Sequence, residues 1–179
     1  AEHKLVHVNI SLTTLDPALA RTMEPRAAAP HRRLQAIEQL AAAGVPVSVL
    51  AAPMIPGLND AELERILAAA AKAGAHGAGY ILLRLPHELK ALFTEWLEAH
   101  YPDRAAHVLA LIRETRAGAL SETKFGQRHC GTGPYADLLA RRFLQAARGN
   151  GLTERAELDC TRFGVPAEAD AERAQMSLF

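Results

Sequence analysis

The sequence predicts an α/β fold, the C-terminal half of an α/β barrel or partial barrel, with three parallel strands followed by C-terminal helices. Two observations lead there. Strand-like and helix-like segments alternate at roughly 35-residue spacing, the mark of right-handed parallel crossovers. Three parallel strands alone would leave both sheet edges unpaired and make too small a sheet to stand by itself, so further strands are expected upstream of Ala1. A small open doubly wound sheet is the competing architecture.

The first strand is expected over Leu5–Leu12, rich in β-branched residues and ending in the polar cluster Ser11–Thr14. Asp16-Pro17 supplies an N-cap and a proline at the first helical position, opening a short helix. A second helix covers Pro30–Ala43, where Leu34, Ile37, Leu40 and Ala41 share a face and Gly44 stands at the C-terminal cap. Val45–Leu50 reads as the next strand, with Pro46 at its start. The turn-rich run Pro53–Leu58 follows it. Asn59 and Glu62 then form a capping-box pattern for a helix that reaches about Ala73 and stops at Gly74. Gly79–Arg84 is the third strand, apolar almost throughout and therefore expected to be covered on both faces. After Pro86, Leu89, Leu92, Phe93, Trp96 and Leu97 mark one helix stripe. Two more helices are expected over Asp103–Arg116 and Pro134–Arg148, and the polar stretch from Gly149 reads as loosely held. Residues 1–100 thus form the barrel half, 101–150 a helical extension, and 151–179 a loosely ordered tail.

Composition narrows the function. Hydrophobic residues make up 49% and charged residues 22%, so the chain is globular rather than disordered. Lys+Arg and Asp+Glu number 20 each, which argues against a broad polyanion-binding surface. No apolar run reaches the 18 or so residues of a membrane helix. The opening Ala1-Glu2-His3-Lys4 carries neither an initiator Met nor a signal peptide, so the expectation is a start inside something longer. Cys130 and Cys160 form no CxxC spacing, and a reducing cytoplasm is the expected compartment. His3 and His7, four apart on a strand, stand about 13 Å from each other and cannot share a metal.

In parallel α/β folds ligands sit at the carboxyl ends of strands. Those ends offer the hydroxyls of Ser11 and Thr13, the Pro/Gly turn from Ala52 to Gly57, and the guanidinium of Arg84. Arg26 is a candidate carboxylate or phosphate clamp. Surface ion pairing of Arg26 and Arg84 is the plainer alternative. There is no paired carboxylate, no Ser-His-Asp signature and no P-loop. The set suits holding a polar ligand better than acid–base hydrolysis, which leaves an ordinary barrel enzyme as a weaker reading.

Ile10–Asp16, Met23-Glu24-Pro25-Arg26, Arg33–Ile37, Ala52–Asp60, Leu83–Pro86 and Phe125–Phe143, in this order and spacing, resemble the second half of a radical S-adenosylmethionine (radical SAM) protein. The nearest group is the bacterial one described as similar to spore photoproduct lyase, or as DNA-repair photolyases. The resemblance implies a partial (β/α)6 TIM-like barrel whose last three strands this chain supplies. It places Ser11 and Thr13 near the ribose and methionyl group of S-adenosylmethionine (SAM). The fifth-strand Gly-x-Ile-x-Gly-x-x-Glu pattern falls on Pro53, Ile55, Gly57 and Asp60, with Pro53 and Asp60 departing from it. Ile55 would pack on adenine, and Leu83 and Arg84 would lie near adenine or substrate. The resemblance also implies a [4Fe–4S] cluster, reductive cleavage of SAM to a 5′-deoxyadenosyl radical, and nucleic acid as substrate. The three-cysteine motif for the cluster is absent here and is expected in a missing N-terminal half of the same barrel.

Three features stand outside that frame. Photoproduct lyases use a thiol as hydrogen donor, which makes Cys130 and Tyr135 candidate catalytic residues; an incidental loop cysteine is the alternative. Arg113, Arg116, Lys124, Arg128, Arg141, Arg142 and Arg148 outnumber nearby acids and form a candidate phosphate-tracking strip, or a solvated helix face. The terminal Gln175-Met176-Ser177-Leu178-Phe179 resembles the bacterial sliding-clamp-binding peptide, with Gln175, Met176, Leu178 and Phe179 as contacts; docking of Leu178 and Phe179 on the protein's own core is the alternative. A non-catalytic α/β binding module tethered to the clamp is the second reading, and it predicts no upstream cluster cysteines.

Overall fold

The computed structural model describes residues 5–121, 127–154 and 157–162. The elements run β1 (Val8–Ser11), α1 (Pro17–Met23), α2 (Pro30–Ala42), β2 (Val47–Met54), α3 (Leu63–Lys72), β3 (Gly77–Leu82), α4 (Leu89–His100), α5 (Pro102–Glu114) and α6 (Pro134–Gly149). The strands form one parallel sheet in the order β1-β2-β3, pairing Val8 with Val47 and Ser48 with Gly77. This is the mixed α/β fold expected, consistent with a partial TIM-like barrel.

Strand alternation sorts the sheet into two unequal faces. Val8, Ile10, Val47, Val49, Ala51, Ala78 and Tyr80 point into a core shared with Ile37 of α2, Ile66, Leu67 and Ala70 of α3, and Leu139 and Phe143 of α6. On the opposite face Asn9 is exposed and Ser11, Leu50, Gly79 and Ile81 are half-buried. The expectation that β3 is covered on both faces therefore fails: its run of apolar residues serves one packed face and one half-open one. A second apolar cluster sits over the carboxyl ends of the strands, where Ile55, Leu83 and Leu85 meet Leu97, Val108 and Ile112 of the α4–α5 hairpin. Trp96 Nε1 ties α4 to the end of α1 through Thr22 O at 3.0 Å.

Several boundaries differ from expectation for local reasons. β2 runs four residues past Leu50 and through Pro53, with a register shift against β3 between Ala51 and Met54; a strand that slips in this way carries a proline where the ladder is already interrupted. Asn59 caps nothing with its side chain, because that amide is used elsewhere, and a 3₁₀ turn at Asp60–Glu62 leads into α3. In α4 only Leu97 of the apolar stripe is fully buried, whereas Leu89 and Leu92 are 43% and 56% exposed. Just after Gly149 the chain is held: Leu152 is buried, Thr153 bridges Gly77, and the Glu154 N–H donates to His76 O, while residues 163–179 of the expected tail lie outside the described residues.

The two sheet edges are treated differently. Val8 N–H donates to Pro46 O and Leu12 N–H to Leu50 O, so the even-numbered residues of β1 face β2 and the N–H and C=O of Asn9 face outward. At β3 the outer edge is closed at both ends by this chain. Thr153 pairs with Gly77 at the bottom, Leu82 N–H donates to His129 O at the top, and Arg116 covers the carbonyls of Leu82 and Leu83. On β1 the outward carbonyl of Ser11 accepts from Arg33 at 2.8 Å, and the backbone of Asn9 finds no partner among the described residues. Lys124 and the terminal Gln175, Met176, Leu178 and Phe179 lie outside the described residues, as does His3.

Candidate functional site

The carboxyl ends of β1 and β2 are joined by hydroxyls. Ser11 Oγ donates to Ala52 O at 3.0 Å, and Thr13 Oγ1 lies 2.9 Å from both Ala52 O and Glu24 Oε2. Ser11 is half-buried and keeps its oxygen lone pairs for a ligand. Thr13 is 2% exposed, so its role in this structure is to lock the two loops together.

The loop after β2 is fixed from four sides. Asn59, fully buried, accepts from Ile55 N–H at 2.7 Å and donates to Thr13 O and Pro53 O. Asp60 accepts from Gly57 N–H at 2.9 Å and from the Tyr135 hydroxyl at 2.5 Å. Arg104 of α5 donates to Gly57 O. Glu62 accepts from Thr14 Oγ1 and from Leu15 N–H at 2.6 Å, bracing the β1 end in turn. Gly57 has φ +72°, a conformation that favours glycine, and a Cβ there would also press on the Leu111 side chain at 2.9 Å. Ile55 is fully buried in the α4–α5 cluster.

At the end of β3, Leu83 is buried in that cluster, while Arg84 carries a buried Nε with no hydrogen-bond partner. An unpartnered guanidinium N–H at a strand end is costly unless a ligand accepts from it. Arg116, 2% exposed, spends its guanidinium on the carbonyls of Leu82, Leu83, Gln127 and Arg128. Arg142 pairs bidentately with Glu64 at 2.7 and 2.8 Å. The expected phosphate-tracking strip thus loses Arg116 and Arg142 to internal work.

Arg26 is exposed and outside the strand-end network; the charge that does reach the β1 end is Arg33, which donates to Ser11 O at 2.8 Å and pairs with Glu24 at 3.2 Å. Sequence reasoning placed Arg33 on a helix and passed over it. Its position in the first turn of α2, beside the β1 end, was the available signal. Cys130 is exposed on a loop whose Gly131 presses on β3, since a Cβ there would meet Leu82 Cδ1 at 2.7 Å. Tyr135 stands elsewhere, its hydroxyl committed to Asp60. Burial, reinforced by the Asp60 carboxylate, pushes its phenol up to about 12.

Tested against the groups the resemblance implies, the residues divide. Ser11 and Arg84 fit a ligand bearing hydroxyls and a carboxylate, as SAM does. An iron–sulfur cluster does not fit: among the described residues no three His, Cys, Asp or Glu side chains form a metal-holding group, and the two cysteines are free and exposed. A cavity of about 620 Å³, lined in part by His7, Ser48, His76 and Glu154, lies at the opposite, amino-terminal end of the strands. No helix among the described residues is long and apolar enough to cross a membrane.

Three curated relatives match: uncharacterized proteins of Mycobacterium tuberculosis strains H37Rv and CDC 1551 and of Mycobacterium bovis, each 33% identical over 115 residues. The match covers 63% of this chain and 34% of the relative, so the chain spans about a third of the length of the curated relatives it matches. No solved structure matches the chain. Residues 1–70, which carry β1, β2 and both of the strand-end loops joined by Asn59, match the Radical SAM superfamily.

Proposed function

We propose that this chain is the downstream half of a SAM-dependent radical enzyme, and that the upstream part of the polypeptide docks on the open edge of β1 and brings the iron–sulfur cluster. The observation that carries this reading is the unequal treatment of the sheet edges within a chain whose first 70 residues match the Radical SAM superfamily. The β3 edge is capped at both ends, by Thr153 and by His129 with Arg116, whereas on β1 Arg33 covers the Ser11 carbonyl and Asn9 presents its backbone outward.

When bound, SAM supplies radical chemistry through reductive cleavage of its C5′–S bond. The residues of this chain bind and orient. Ser11 offers a hydroxyl oxygen at the β1 end, and Arg84 offers a desolvated N–H to a carboxylate or to the substrate. Thr13, Asn59 and Glu62 hold the two strand-end loops in register, Ile55 and Leu83 pack in the apolar cluster of the α4–α5 hairpin, and Gly57 lies against Leu111 of α5. The finer reading, membership of the spore photoproduct lyase-like group with nucleic acid as substrate, is supported by the order and spacing of the sequence motifs.

The test is SAM binding by the intact polypeptide, purified anaerobically. Arg84→Met is expected to weaken binding about tenfold while leaving the melting temperature unchanged or higher, because it deletes a buried donor that has no partner. Binding equal to wild type would remove Arg84 from the site.

A further inference from the structure

We propose that Tyr135 and Arg142, both on α6, are positioning residues that clamp the Gly57–Asp60 turn in the geometry a nucleotide cofactor requires. The inference rests on the reading of that turn as part of the SAM site. Four observations meet at Asp60. Its carboxylate accepts from the Tyr135 hydroxyl at 2.5 Å and from Gly57 N–H at 2.9 Å, so one side chain links helix to turn. Its carbonyl accepts from Arg142 at 3.0 Å, and the same guanidinium is anchored bidentately by Glu64. Asp60 itself is 5% exposed, where a hydrogen-bonded carboxylate is strongly directional.

The arrangement has a further consequence. The turn lies in the segment that matches the superfamily, whereas α6 lies some 75 residues on and outside that segment. The C-terminal helix is thereby made a structural condition of the binding loop. Arg104 acts from the other side on Gly57 O, so the turn is gripped between α5 and α6. Tyr135 touches no reacting atom in this account; it acts through Asp60.

Two variants in the intact polypeptide test the clamp, Tyr135→Phe and Arg142→Met, each read by amide hydrogen exchange at Gly57 and by steady-state kinetics in SAM. The expected result is faster exchange at Gly57 and a KM for SAM raised about tenfold, with kcat at saturating SAM within twofold of wild type. A merely structural helix contact would lower kcat through loss of folded enzyme and leave KM in place. Unchanged KM in Tyr135→Phe, whatever the exchange rate, overturns the proposal. If wild type shows no affinity for SAM, the site reading beneath it fails instead, and exchange at Gly57 still reports separately whether Tyr135 holds the turn.

Discussion

Asn59 shows what a single buried amide does here. Its three hydrogen bonds join Ile55, Thr13 and Pro53, so Asn59→Ala strands an N–H and two carbonyls out of water. A loss of roughly 2–4 kcal/mol is expected, read as a lower urea midpoint with an unchanged slope. Two titrations follow from the α6 clamp. The Arg142 ion pair lowers the Glu64 pKa. Glu64 therefore adds stability above its unfolded pKa, and that stability disappears as pH falls through its depressed folded value. With the Glu64 side chain 45% exposed, the effect belongs at the weak end of ion-pair energies. Glu64→Gln should flatten the acid limb of the stability profile measured by urea denaturation. Tyr135 runs the other way: its contribution is full below the ordinary phenol value of 10.0 and is lost as pH rises through about 12. Ultraviolet titration of wild type against Tyr135→Phe should show that high step vanish. Sequence pattern pointed to Asn59 and Glu62 as a pair, but assigned them to a cap. Both side chains instead reach across to the loop after β1, at Thr13, Thr14 and Leu15, a tertiary use that local spacing cannot reveal.

At the scale of elements, caps, β-branched and apolar runs and the 3.6-residue period together pointed to the helices and strands found among the described residues. What they missed is which faces meet something. The stripe of α4 reads as one apolar face, yet Leu97 is wholly buried while Leu92 is more than half exposed. Leu97→Ala should cost about 2–5 kcal/mol and Leu92→Ala less than about 0.5, compared by thermal melting. The stretch from Gly149 read as loose because its composition is polar, but residues 150–154 are held by backbone bonds to Gly77 and His76 and by burial of Leu152. The strip of arginines was legible as charge only; burial of Arg116 against four carbonyls depends on the return of residues 127–128 to β3, which no local pattern encodes.

At the scale of the whole molecule, the outward backbone of Asn9 on β1 offers an edge on which a further strand can pair. In the proposed site Ser11 offers a hydroxyl and Arg84 a buried, unpartnered Nε at the strand ends. Asn9→Pro isolates the edge. It removes an N–H that faces away from β2, so the β1–β2 ladder survives. In the intact polypeptide it should block pairing of the upstream strand and lower the melting temperature by several degrees, on the order of 1–2 kcal/mol, whereas in this chain alone the change should be small. The most direct measurement is iron, acid-labile sulfide and 5′-deoxyadenosine release by the intact polypeptide, isolated anaerobically and supplied with SAM and a reductant. The account predicts about four iron and four sulfide per chain, with 5′-deoxyadenosine formed. An intact polypeptide that folds, holds no iron under those conditions and leaves SAM uncleaved would contradict it.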